Sequence, residues 1–91
     1  MEQMDKRQVL RRLSMAGCIG LMRTVLQDDA EGKSRQYPRT VTPLPGNNLL
    51  GFMPAYLGTG DYFGAKVITV FPGNHQAGLP SHQGSVLLFD A

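Results

Sequence analysis

Gly64-Ala65-Lys66-Val67-Ile68-Thr69-Val70-Phe71 is the stretch on which the fold of this 91-residue chain turns. β-Branched and aromatic side chains suit a pleated surface, so the run predicts a buried strand. Lys66 interrupts it. Strand side chains alternate, which sends Lys66 to the face of Ile68 and Val70. An ammonium on such a face is costly unless it is paired or lines a wet cleft. Two roles fit it. One is a lysine near a strand end, with a packed stem and a head in water. The other is a lysine that faces a ligand. Eight of the nine Lys and Arg residues lie at or before Arg39, which leaves Lys66 as the only cation in residues 40–91.

Around this strand the sequence divides by charge. Residues 37–91 hold all six prolines and eight of the eleven glycines, and they read as strands and turns. Tyr37 to Thr42 is an extended segment, bounded by Pro38 and Pro43. Pro45-Gly46-Asn47-Asn48 is a turn, since proline presets φ while glycine and asparagine accept positive φ. Leu49 to Tyr56 is a second strand, and Pro54 demotes its distal end to an edge or a bulge. Tyr62 to Phe71 is a third strand. A Gly/Asn/Pro-rich connection from Pro72 to Pro80 leads to a fourth, Ser81 to Phe89.

Residues 1–36 carry the helical pattern. Ser14 is a suitable N-cap for a helix over Met15 to Asp29. Met15, Cys18, Ile19, Met22, Val25 and Leu26 follow the spacing of one apolar face, so Met15, Met22 and Cys18 are expected in the core. Gly17 and Gly20 each weaken the helix by about 1 kcal/mol relative to alanine. Gly32 is its expected stop. Val9, Leu10 and Leu13 are expected in a short preceding strand. The fold class is α/β, α+β-like, with the N-terminal helix packed on a mixed β-sheet. Strand four stops near the C-terminus with Val86 and Leu88 uncovered, so the chain is expected to be incomplete as a folding unit.

Composition narrows the function. Ninety-one residues make at most one small domain, which buries roughly 60–65% of its unfolded surface. A hydrophobic fraction of 42% with 18% charged residues suits a globular chain. The net charge of +2 is too weak to imply nucleic acid, and no stretch approaches the roughly 18–20 apolar residues that cross a bilayer. The single cysteine, Cys18, excludes an internal disulfide and fits a reducing cytoplasm. His75 and His82 lack zinc-site spacing, and no metal is expected.

Several residues can carry chemistry. Arg39, just after Pro38, is either a surface arginine or a guanidinium placed for bidentate recognition of a carboxylate or phosphate. Arg39 and Lys66 are the two cations of the β-rich part, in strands that are expected to be able to neighbour each other. Ser81-His82-Gln83 offers hydroxyl, imidazole and amide in succession. These groups can orient a ligand or cap loop backbone. A Ser-His neighbour pair is not a triad, so a serine hydrolase is a poor reading. There is no G-x-G-x-x-G phosphate-binding turn.

Four segments, taken in order, resemble the ornithine cyclodeaminase/mu-crystallin family. They are Leu49 to Tyr56, Gly64 to Asn74, Gly78-Leu79-Pro80-Ser81-His82-Gln83-Gly84 and Val86 to Asp90. Met15-Ala16-Gly17-Cys18-Ile19 and Pro38-Arg39-Thr40 fit upstream. The resemblance implies an NAD(P)-dependent protein whose N-terminal domain supplies substrate contacts and a homodimer interface. The substrate would be a small amino acid or a cyclic imino acid. It implies that Arg39 and Lys66 hold the substrate carboxylate and its neighbouring groups, with Lys66 also catalytic. It places Ser81 near both substrate and nicotinamide, and His82 and Gln83 near the dinucleotide. A non-catalytic ligand-binding protein of the mu-crystallin kind, or a degenerate remnant, is the alternative.

Family members continue with a Thr-Ala-x-Arg-Thr-Ala-Ala segment, a glycine-rich dinucleotide fold and a catalytic aspartate, none of which occurs in these residues. Residues 1–91 are therefore expected to be a partial N-terminal substrate-binding and dimerisation domain without the Rossmann domain. Alone they are expected neither to bind NAD(P) nor to turn over substrate.

Overall fold

Two successive caps organise the N-terminal third of the computed structural model, which describes residues 2–58 and 60–90. At the first, the Gln8 amide donates to Asp5 Oδ1 (2.9 Å) and the Asp5 amide donates to Gln8 Oε1 (2.8 Å). This reciprocal capping box starts helix α1, Lys6–Arg12. Arg11 and Arg12 fall in its last turn, where cations oppose the negative end of the helix dipole. The short strand expected at Val9, Leu10 and Leu13 does not form. Their spacing serves a helix as well as an extended run, and the cap at Asp5 decides between them.

Ser14 provides the second cap, its hydroxyl accepting from the Gly17 amide at 3.0 Å, and opens α2, Met15–Ala30. The helix stops where Gly32 turns left-handed, at φ 77°. The Lys33 amide donates to the Asp28 carbonyl and the Gly32 amide to the Asp29 carbonyl. That pairing is a Schellman motif, and glycine suits it because it has no Cβ. The apolar residues of α2 are not in a core. Met15 is 75% exposed and Leu26 67%, Met22 is also exposed, and Cys18 is half-buried. Neither helix makes extended contact with a strand, so the expected packing of α2 across the sheet is absent from the described residues. With nothing opposite the stripe, periodicity alone cannot bury it.

Among the described residues the sheet has five strands: β1 Arg35–Gln36, β2 Thr40–Leu44, β3 Asn48–Leu57, β4 Tyr62–Val70 and β5 His82–Asp90. Every pairing is antiparallel. The spatial order is β1-β3-β4-β5, with β2 pairing the same edge of β3 as β1. Residues 37–42, expected as one extended segment, are thus divided. Gln36 pairs with Ala55 and Thr40 with Phe52, so three residues oppose two and the chain bulges at Tyr37-Pro38-Arg39.

Pro54 does not lie on an edge. It pairs with Ala65 inside the central strand β3. Its carbonyl accepts from the Tyr37 amide at 3.2 Å. In a strand the N–H and C=O of one residue point the same way, so the donor that proline lacks would have pointed at the bulge, where the ladder is already broken. Pro43 lies within β2 rather than ending it, and among the described residues β2 is bonded only to β3, a position that tolerates proline.

Among the described residues no hydrophobic side chain is buried. The sheet is instead a slab with two open faces. One carries Met53, Lys66, Ile68 and Val86. The other carries Phe52, Phe63 and Phe89, and the Phe63 and Phe89 rings stack with centroids 6.3 Å apart. Strand β5 is exposed along its length, as the uncovered Val86 and Leu88 anticipated.

Candidate functional site

Lys66 occupies the centre of the nine-residue β4. It is not near a strand end. Its cross-strand neighbours are Met53 on β3 and Val86 on β5. The residue is exposed, so the ammonium keeps water while its stem lies between two apolar side chains. Neither of the two ion pairs among the described residues involves it, since these join Arg12 to Glu2 and Lys33 to Glu31.

Beside Lys66 the sheet surface forms an open depression of about 280 Å³, bordered by Lys66, Ile68, His82, Gln83, Gly84, Ser85 and Val86. His82 pairs with Val70 and therefore shares the Lys66 face. Gln83 pairs with Thr69 and alternates to the other face, yet it still borders the depression. A second, largely apolar groove of about 230 Å³ adjoins Lys66 on its other side, towards Met53, Leu57, Tyr62 and Leu88. Lys66 thus stands at the seam between a depression of mixed lining and a more apolar groove.

The connection before β5 sets where Ser81 and His82 stand. Pro72–Ala77 makes a short 3-10 helix that ends at Gly78, whose φ of 72° is left-handed. Asn74 ties the loop together. Its side-chain amide donates to the Pro80 carbonyl at 3.0 Å, its backbone amide donates to the Phe71 carbonyl, and its own carbonyl accepts from the Leu79 amide. The Ser81 carbonyl then accepts from the Phe71 amide at 2.8 Å, which closes the connection onto the end of β4. Ser81 is half-buried and lies outside the depression, with Oγ 3.0 Å from Nδ1 of His82. It touches the site through His82.

Arg39 lies just outside β2, in the bulge, and is exposed. Its strand neighbours β3, so it does not adjoin β4 as the sequence reading allowed. The next residue, Thr40, pairs with Phe52, so β3 lies between the Arg39 bulge and the strand of Lys66. Arg39 and Lys66 are then two strand spacings apart, about 10 Å. Two long cationic side chains can span that distance around one small anion.

Ile68 escaped the sequence reading. It follows Lys66 on the same face and borders the same depression. Its partners on both sides, Gly51 and Gly84, have no side chain. A glycine inside a strand often marks a close approach, and that signal was present at both positions.

The Ornithine cyclodeaminase/mu-crystallin family model matches residues 2–91. Ketimine reductase mu-crystallin of Mus musculus is 43% identical over 61 residues, which cover 66% of this chain and 20% of that protein. The chain therefore spans about a fifth of the length of the curated relatives it matches. Among solved structures, Thermococcus litoralis Δ1-pyrroline-2-carboxylate reductase in complex with NADH and L-proline is 30% identical with a TM-score of 0.77, over 86% of this chain and 24% of that one. An archaeal alanine dehydrogenase dimer with bound NAD is 26% identical with a TM-score of 0.81, over 93% of this chain and 26% of that one.

Proposed function

The chain belongs to the ornithine cyclodeaminase/mu-crystallin family, and from that membership we propose that its sheet is the substrate side of an NAD(P)-dependent enzyme acting on a small amino acid or cyclic imino acid. The observation that carries this reading is Lys66. It is a solvated ammonium at the middle of a sheet face, with His82 beside its depression and Arg39 across one strand. Residues 1–91 are the N-terminal substrate-binding part of the protein on this reading, and they contribute to a homodimer.

In the proposed site Arg39 and Lys66 hold the substrate carboxylate. Lys66 acts as the catalytic cation next to the reacting carbon. A fixed positive charge there stabilises negative charge that develops during the reaction. Ser81, His82 and Gln83 form the side that meets substrate and nicotinamide, with the Ser81 hydroxyl restraining the His82 ring. The dinucleotide supplies hydride chemistry when it is bound, and these residues position and polarise the substrate.

A chimera tests this. Residues 2–91 replace the matching segment of a complete family member, and turnover of a cyclic imino acid with NAD(P)H is measured. Lys66→Met keeps the stem volume and removes the charge. The expected result is unchanged melting with turnover reduced by about 100-fold or more, the scale of losing one electrostatic contact in a transition state. Unchanged turnover, or a chimera that folds with Lys66 and unfolds on Lys66→Met, would make Lys66 a structural lysine.

A further inference from the structure

We propose that Ile68 is the specificity-determining residue of this site, a movable apolar wall whose position is set by the missing side chains of Gly51 and Gly84. The proposal rests on the substrate-site reading given above. It adds which part of the ligand is measured, and by what.

The row Gly51-Ile68-Gly84 crosses three strands next to the row Met53-Lys66-Val86. A Cβ built on Gly51 would stand 3.0 Å from Cγ1 of Ile68, and one built on Gly84 would stand 2.7 Å from its Cγ2. The side chain of Ile68 therefore lies over both glycines, with one branch towards each. It is also one of the residues that border the depression beside Lys66. A carboxylate held by the ammonium places the remainder of a small ligand against the next side chain on that face, which is Ile68. The surface offered there is a branched hydrocarbon. Contact with it favours an apolar ring or short aliphatic body and measures its size.

The two glycines differ in a way that makes the wall adjustable. A methyl group at Gly84 would also meet the Val67 carbonyl oxygen, so it would disturb the strand pairing. At Gly51 the nearest atoms within 4 Å are all side-chain atoms, those of Ile68 and the terminal methyl of Met53. Gly51→Ala consequently pushes Ile68 towards the depression and leaves the backbone in place. Ile68→Ala retracts the wall. The two substitutions act in opposite directions on one dimension of the site, and a residue that merely packs the sheet has no such signature.

NMR titration of the full chain with L-proline, and with L-pipecolate, whose ring is one methylene larger, reads the effect. Ile68→Ala is expected to raise the ratio of L-pipecolate to L-proline affinity by about tenfold, the discrimination that one methylene supplies in an apolar pocket. Gly51→Ala is expected to lower the same ratio. If Ile68→Ala unfolds the chain, Ile68→Val shows the same direction with a smaller change. Equal weakening of both ligands would reduce Ile68 to a packing residue and overturn the proposal, while the carboxylate site would stand. Binding of neither ligand to the unaltered chain would overturn the site and the wall together.

Discussion

A methyl group added at Gly20 in α2 meets nothing within 4 Å, whereas one added at Gly64 in β4 would overlap the carbonyl oxygen of Leu87. The same chemical change is free in one region and forbidden in the other. In the helical arm each element is specified by residues within one turn of its end: Asp5 with Gln8, Ser14 with Gly17, Gly32 with Asp29. In the sheet each residue depends on partners far away in sequence, as Lys66 does on Met53 and Val86. Local specification tolerates substitution. Long-range pairing transmits it to the site.

Gly64→Ala gives the largest effect expected. The clash is with backbone, so β4 and β5 must separate or shift, at a cost of about 4 kcal/mol or more. Amide exchange should show β4 and β5 losing protection while α2 keeps the protection it has. Equal loss in both regions would join the arm and the sheet into one cooperative unit and end the distinction.

Arg39→Ala comes next and concerns the site rather than the fold. In the chimera it should weaken substrate binding by about 2–4 kcal/mol, because one anion loses a bidentate partner. Arg39 is exposed and lies in a bulge, so melting should not change. A variant that binds substrate normally would show that the approximate 10 Å between the two cations is not closed by one ligand.

Legibility followed the same division. The cap at Ser14, the stop at Gly32 and the turn at Gly46-Asn47 are local, and the structure has each of them. Strands β3, β4 and β5 follow from apolar runs between turn residues, β-branched in β4. The failures are places where a local pattern had two solutions or where pairing decided. Val9-Leu10 suits a helix or a strand, and only the cap distinguishes them. Pro54 reads as marking an edge or a bulge, and only the pairing shows that it faces the bulge at 37–39. Lys66 was conspicuous as a lone cation in an apolar run. Its place between Met53 and Val86, the seat of Ile68 over two glycines and the distance to Arg39 all depend on register, which no single strand encodes.

Gly20→Ala turns the comparison round. In the arm the substitution should stabilise α2 by about 1 kcal/mol, since alanine is the better helix former and the site is open. Far-ultraviolet circular dichroism and melting would measure it. Destabilisation would reveal a surface that covers Gly20 in solution, and the arm would then be as dependent on distant partners as the sheet.

The smallest effect expected lies at the far end of the β3–β4 hairpin. The Tyr56 hydroxyl donates to Asp61 Oδ1 at 2.7 Å, and Asp61 holds a left-handed φ of 56°. That hydrogen bond, with partial desolvation and the charge of Asp61, pushes the Tyr56 phenol above its ordinary value near 10. The sign follows from the protonated form being the one that donates. A folded-state pKa above the unfolded value means that the stabilisation is complete below about pH 10 and is lost as pH rises through the raised value. Tyr56→Phe removes the hydrogen bond at every pH. Melting temperatures of the two proteins should therefore differ by a small, constant amount from pH 7 to 9 and converge above pH 10. A difference that persists undiminished in strong alkali would assign the contribution of Tyr56 to ring packing. The hairpin would then be held by its apolar face, like the strands it joins, and not by the local polar contact that makes it resemble the caps of the helical arm.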